Sequence, residues 1–461
     1  MVAMEQMFER FLAKSPVSVM VRATLENVFS PERLDELFAQ NAKQQRPSQL
    51  LFSAVVDSMS LVVCKIRPSL HAVYQANKKE FSVSIKSLYN KVNGIEPAVS
   101  EALVRETAAD LRDIVQACGA ARSPLLPGYR TLIVDGNHFP GVEHRIEELR
   151  TTRSGALPGQ AIAVLEAETQ LVVDAIGCED GHSQERSLLP ELAKRISPRD
   201  VVVADRNFCT TNFLFDLKRQ KAFFVIRQHG STLTWQLTGR RCRVGKCGKD
   251  VIYEQIAKLT DPRSGETMYV RRITIKLHRP TRDGDSEVHV LTNLPKKITA
   301  QRVADVYGKR WSIETAFGEL ATVLNSEIET LGHPPAAVLG FCVALVAYNQ
   351  LMVVKAALRA VHGEETVDSH VSSYYLADEI AGTWRGLTIA VDNAIWSRRF
   401  SGATASQMAR FLLRAAKLVD LSAFQKHPRG PKKPRPKKTS GKKQKHVSIA
   451  RILAKRKLAA C

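Results

Sequence analysis

The sequence predicts an α/β protein: a mixed-sheet core interrupted by a β-rich insertion, with a helical N-terminal domain and a disordered basic C-terminal tail. Three observations carry this. From Tyr129 the pattern changes to short apolar strands. Helical spacing dominates before residue 120 and again after Thr299. Beyond Asp420 no acidic residue appears, while 14 Lys and Arg follow. These changes place boundaries at 1–120 (helical), 121–228 (core, first part), 229–297 (β-rich insertion), 298–425 (core, second part, and C-terminal helices) and 426–461 (basic tail).

A chain of 461 residues exceeds the usual single-domain size, and 44% hydrophobic residues suffice for a sizeable core. The charge of +21, with a pI near 9.7, calls for a polyanionic partner, of which nucleic acid is the commonest. The tail carries +14 of that excess. It is open to two readings: a solvated segment that aids solubility, or a non-specific phosphate contact weakened by salt. The eight cysteines are scattered and no signal-like segment is seen, so a reducing bacterial cytoplasm, near the nucleoid, is expected. Cys242 and Cys247 lack a second Cys/His pair, so no zinc site is expected. The apolar run Ala336–Met352 is interrupted by Asn349 and Gln350 and reads as a buried helix rather than a membrane span.

In chain order, Ser30-Pro31 announces a helix with an N-cap and a proline at its first position. Residues 81–92 carry the apolar stripe Ile85, Leu88 and Val92. They form either a DNA-recognition helix presenting Ser84, Lys86, Ser87 and Asn90 or a plain amphipathic helix of a bundle. Thr131–Asp135 is an apolar strand ending in a carboxylate. Gln160–Glu166 and Gln170–Gly177 make a hairpin around Ala-Glu-Thr, in which Asp174 has no expected metal role. Gln184–Ile196 is helical, and Asp200–Asp205 is a second apolar strand ending in a carboxylate. A helix over 210–220 and a strand over 222–227 follow. Residues 231–295 hold strands around Leu233–Leu237, Val270–Leu277 and Val288–Thr292. Trp235 there reads as a core residue in preference to a base-stacking one. Pro428–Pro436 cannot hold a regular element and reads as an extended linker.

Asp135, Asp205 and Glu314 stand out by position. If the two Asp-bearing strands are neighbours, both carboxylates reach one point. Tyr307, Arg310 and Glu314, spaced i, i+3 and i+7, fall on one helical face. Hard oxygen ligands of this kind suit Mg²⁺ (or Mn²⁺). Three carboxylates can hold two ions roughly 3.5–4 Å apart for in-line phosphoryl displacement.

The order strand–Asp, hairpin, helix, strand–Asp is similar to that of an RNase H-like core. Ile133-Val-Asp135-Gly-Asn, Val203-Ala-Asp205-Arg-Asn-Phe and Tyr307-Gly-Lys-Arg310-Trp-Ser-Ile-Glu314 resemble the motifs of DDE-type transposases of the insertion-sequence-four family, found in cut-and-paste bacterial elements. The resemblance covers about residues 129–355. It implies that Asp135, Asp205 and Glu314 are catalytic metal ligands. Tyr307 and Arg310 would bind phosphates flanking the cut, helped by Arg206 and Lys309, with Asn207, Asn137 and His138 supporting. It further implies double-stranded DNA partners (terminal inverted repeats and target) and a homodimer on paired ends. One position departs: the family's Lys falls on Ala321, for which Lys309 is a candidate substitute. That departure keeps a second reading in view, a catalytically inactive DNA-binding relative that represses transposition. An RNase H-like nuclease without joining activity leaves the basic tail unexplained.

Overall fold

The computed structural model describes residues 2–45, 49–79, 81–231, 233–281, 284–427 and 445–460. Seven helices come first: α1 (Val2–Lys14), α2 (Pro16–Val28), α3 (Pro31–Asn41), α4 (Phe52–Val63), α5 (Leu70–Ala76), α6 (Ile85–Asn93) and α7 (Pro97–Ala117). Ser30 caps α3 by accepting from the Arg33 N–H, with Pro31 at the first helical position. Strands β1 (Arg130–His138), β2 (Gly155–Leu157), β3 (Gln160–Glu166) and β4 (Val172–Cys178) follow, then α8 (Leu189–Arg195), β5 (Asp200–Ala204), α9 (Thr211–Arg219) and β6 (Phe223–Arg227).

The insertion contributes β7 (Thr234–Cys247), β8 (Asp250–Thr260), β9 (Thr267–Lys276) and β10 (Glu287–Thr292). Helices then resume: α10 (Ala300–Gly308), α11 (Trp311–Thr322), α12 (Pro334–His362), α13 (Glu364–His370), α14 (Ser373–Ala390), α15 (Asn393–Phe400) and α16 (Ala405–Ala416). The described chain closes with β11 (His446–Ser448) and α17 (Ile449–Ala460).

Nine strands form one sheet in the order β4-β3-β1-β5-β6-β10-β9-β8-β7. The central β1, β5 and β6 are parallel, and the outer pairings are antiparallel. Strand alternation divides the apolar side chains between two faces. Ile133, Val201, Val203 and Val225 join a core with α7 and α12. Leu132, Val134, Val202 and Phe224 join one with α8 and α9. Burial on both faces is why these strands read as unbroken apolar runs.

The β-rich insertion joins the main sheet, because β10 pairs with β6 and extends it. It contains β8, which polar residues at Glu254, Gln255 and Lys258 conceal in the sequence. The N-terminal helices do not form a body of their own: α2 packs on α12, α14, α15 and α16, and α7 lies between α12 and β4. The expected disordered basic tail is ordered over its last residues. There β11 pairs in parallel with β2, and Ile449 closes a small core with Val142, Leu149 and Ala156. Arg451 pairs with Asp180 at 2.8 Å, and Arg456 with Glu147 and Glu148. The Pro428–Pro436 linker lies outside the described residues.

Helix α12 is long and apolar enough to cross a membrane, and most of it is buried inside the protein. Its Asn349 explains the polar interruption. The Asn349 carboxamide accepts from Val172 N (2.7 Å) and donates to Val172 O (2.8 Å), serving the edge of β4 as another strand would.

Asp174 is buried in β4, where Arg195 Nη1 donates to it at 3.0 Å. The same guanidinium holds Glu101 of α7 at 2.6 Å. This network ties α7 and α8 to the sheet. Asp174→Ala leaves Arg195 with Glu101 and Glu191 but without its partner on the sheet, and the expected loss is about 1–3 kcal/mol, since a buried ion-pair network is broken but the guanidinium keeps other partners. Asp174→Asn, which keeps an acceptor, should lose less. Urea unfolding of both variants checks this; equal stability of Asp174→Ala and the unmodified protein would refute it.

Candidate active site

Parallel pairing of β1 with β5 runs from Arg130↔Asp200 to Val134↔Ala204. The next residue on each chain is Asp135 and Asp205, so the register sets the two carboxylates side by side. Strand β1 does not end at Asp135, as its apolar run implies. It continues to His138 because β3 still pairs with it on the other side. Asp205 lies just past β5 and caps a 3₁₀ turn over Arg206–Phe208, with its Oδ1 accepting from Asn207 N at 2.7 Å.

The single helix face expected for Tyr307, Arg310 and Glu314 is also corrected. Helix α10 stops at Gly308 and α11 starts at Trp311, with Arg310 at the junction. The break lets the buried Arg310 point at β1. Its Nη1 lies 3.4 Å from Asp135 Oδ2 and its Nη2 2.7 Å from Glu314 Oε1. One guanidinium thus reaches both a sheet carboxylate and a helix carboxylate. Its Nε is buried and has no partner among the described residues. The exposed Trp311 ring lies 4.9 Å from the Arg310 carbon. Tyr307 is half-buried beside Arg310, while Lys309 and Arg206 are exposed at the rim.

Several residues gathered here were not singled out from sequence. Glu185, opening the 3₁₀ turn before α8, lies against the backbone of Gly136, where a Cβ would stand 2.3 Å from Glu185 Oε1. Arg186 Nε donates to Asn207 O at 3.1 Å. His229, just past β6, is less basic than usual, through burial and then the charges of Arg186 and Arg206. The Gln184-Glu185-Arg186 run between the two Asp strands was the available signal. Near the missing lysine, Lys65 Nζ reaches across from the loop after α4 and donates to Thr322 O at 2.9 Å, one residue beyond Ala321.

Of the supporting residues, His138 Nε2 lies 3.7 Å from Glu185 Oε1. Trp235 packs on the second core with the Arg272 guanidinium 5.4 Å over its ring. On α6, Ser84, Lys86, Ser87 and Asn90 are exposed, while Leu88 and Val92 are buried in the helical body.

Burial pushes the Asp135 carboxyl up to about 7. Arg310 opposes this, and the neighbouring Asp205 and Glu185 charges add to it. Hard carboxylate oxygens crowded until one holds its proton to neutrality match a divalent cation in kind. Among the described residues, however, no three His, Cys, Asp or Glu side chains converge on one point. Asp135 and Asp205 are adjacent, and the Arg310 guanidinium stands between Asp135 and Glu314.

Because the Asp135 pKa is raised on folding, its contribution to stability is fully present below the ordinary carboxylate range of about 4. It is lost as pH rises through about 7. The melting temperature of metal-free protein should therefore fall between about pH 4 and about pH 7, and Asp135→Asn should remove that part of the slope. An identical slope in the variant would assign the effect to another group.

A comparison with protein families matches residues 126–350 to the transposase DDE domain. No curated protein matches the chain. The matched stretch begins just before β1 and runs past α11 into α12, so it contains Asp135, Asp205 and Glu314 together. Residues 126–350, which hold these carboxylates, are thus similar to a transposase DDE domain, and that similarity supports a DDE transposase.

Proposed function

We propose that this protein is a cut-and-paste DNA transposase of the insertion-sequence-four family. It would cleave strands at the ends of its element and transfer the freed 3′-hydroxyl into target DNA. The observation that carries the reading is the β1–β5 register, which sets Asp135 beside Asp205 inside the matched domain while Arg310 links Asp135 to Glu314.

Asp135, Asp205 and Glu314 would hold two divalent ions, Mg²⁺ or Mn²⁺, which polarise a phosphate and lower the pKa of an attacking hydroxyl or water. The chain's own groups bind and orient DNA. Arg310 offers a planar fork with an unpartnered Nε, a geometry suited to phosphate oxygens. Tyr307, Arg206 and Lys309 border the same place, and Arg186 and His229 extend the rim. Lys65 takes the part expected of a lysine at 321 and contacts a phosphate near the end of α11. The exposed face of α6 reads the inverted repeat, and a homodimer brings two ends together in the bacterial cytoplasm.

Asp135→Ala, Asp205→Ala and Glu314→Ala should each reduce Mg²⁺-dependent cleavage of an inverted-repeat duplex to background. End binding in a mobility shift should persist, because phosphate and base contacts supply affinity while carboxylates act at the scissile phosphate. Normal cleavage by any variant would remove that residue from the site.

The tail makes a separate, non-specific contribution. Arg451 and Arg456 are already paired with acidic residues, so the lysines before them are the better phosphate partners. Changing Lys432, Lys433, Lys437, Lys438, Lys442 and Lys443 to Gln should weaken DNA binding. It should also flatten the salt dependence by about 0.9 in log–log slope for each phosphate that is no longer neutralised. An unchanged slope would mark the tail as a solvated appendage.

A further inference from the structure

The hydrogen-bonded pairing of β1 with β5 ends at Val134↔Ala204, one residue before Asp135 and Asp205. Asp135 remains fixed by the β3 ladder on its other side, where it pairs with Ala163. Asp205 has no such support: it stands at the start of a three-residue 3₁₀ turn, and its direction depends on what holds that turn.

Two consecutive side chains hold it. Asn207 Nδ2 donates to Glu185 Oε2 at 3.3 Å, and Arg186 Nε donates to Asn207 O at 3.1 Å. Asn207 in turn gives its main-chain N–H to Asp205 Oδ1 at 2.7 Å. The other Glu185 oxygen lies over Gly136, the residue after Asp135, at a place that a side chain on residue 136 would fill. His138 Nε2 stands 3.7 Å from that same oxygen. Among the described residues Glu185 pairs with no Lys or Arg.

We propose that Glu185 is a positioning residue that joins β1 to the turn after β5 and, through Asn207, fixes the orientation of the Asp205 carboxylate. Glu185 does not itself hold a metal ion. Its carboxylate is spent on the Asn207 amide and on its position above Gly136, and it acts on the cation through Asp205. Outer-shell groups of this kind typically govern metal affinity or activity by about 10–100-fold. The inference rests on the metal-dependent reading of the site given above.

The test combines Mn²⁺ binding to the full-length protein, followed by electron paramagnetic resonance, with cleavage of an inverted-repeat duplex and thermal melting. Glu185→Ala and Asn207→Ala should each weaken Mn²⁺ binding about 10-fold or more and raise the metal concentration needed for cleavage. DNA binding should hold. The double variant should be no worse than either single one, because both changes break the same link. Glu185→Gln keeps an acceptor for Asn207 and should recover most of the Mn²⁺ affinity. Gly136→Ala, which displaces Glu185, should resemble Glu185→Ala.

Mn²⁺ affinity unchanged in Glu185→Ala, with only a lower melting temperature, would overturn the positioning role. So would a Glu185→Gln defect as deep as that of Glu185→Ala, which would make the charge itself the requirement. Absence of both Mn²⁺ binding and cleavage in the unmodified protein would remove the functional reading, and this inference with it. Mn²⁺ binding that responds to Glu185 without cleavage would uphold the inference while rejecting strand cleavage.

Discussion

The parallel pairing of β1 with β5 is the constraint on which the rest depends. Parallel neighbours run in the same direction, so residues following the last paired positions emerge at the same edge of the sheet. Val134 faces Ala204, and two carboxylates distant in sequence therefore become neighbours without a loop having to find the geometry. Holding that register requires apolar side chains on both faces. Ile133 and Val203 supply one and Leu132, Val134 and Val202 the other. A slip of one residue would exchange the faces and bury the wrong set.

Placing ionised groups at the rim of so apolar a sheet raises an electrostatic cost, visible in the elevated Asp135 carboxyl. Arg310 offsets part of it. The interruption between α10 and α11 matters because a continuous helix would carry Arg310 along a surface beside Glu314. With the junction at residue 310, its guanidinium turns into the protein and meets Asp135 as well. The same buried position leaves Nε without an acceptor among the described residues. Under the proposed function, charge balance in the protein and phosphate binding would be two uses of one side chain.

Around the sheet, helices far apart in the chain form one body. Helix α12 crosses beneath α7, α2 and α4, and its Asn349 closes the hydrogen bonds of β4. Lys65, from the N-terminal helices, reaches the end of α11. Motion of the N-terminal helices relative to the sheet would therefore disturb the element that bears Glu314.

The local sequence was enough to place the main helices and the two Asp-bearing strands. The reason is that periodicity and turn residues act over a few positions, as in Ser30-Pro31 capping α3 or the apolar run before Asp135. Tertiary structure decided what those segments meet. Strand β8 was hidden because its half-buried face carries polar residues, and the insertion joined the main sheet only through pairing of β10 with β6. The ordered end of the basic tail depended on partners far back in the chain, at β2 and at Asp180, the latter 271 residues before Arg451. The position of Glu185, the proposed positioning residue, was not legible because its environment comes from Gly136 on one strand and Asn207 beyond another. Local preferences are encoded over a turn or a strand, whereas a hydrogen bond or ion pair across the fold exists only once the backbone has brought both partners within a few ångströms.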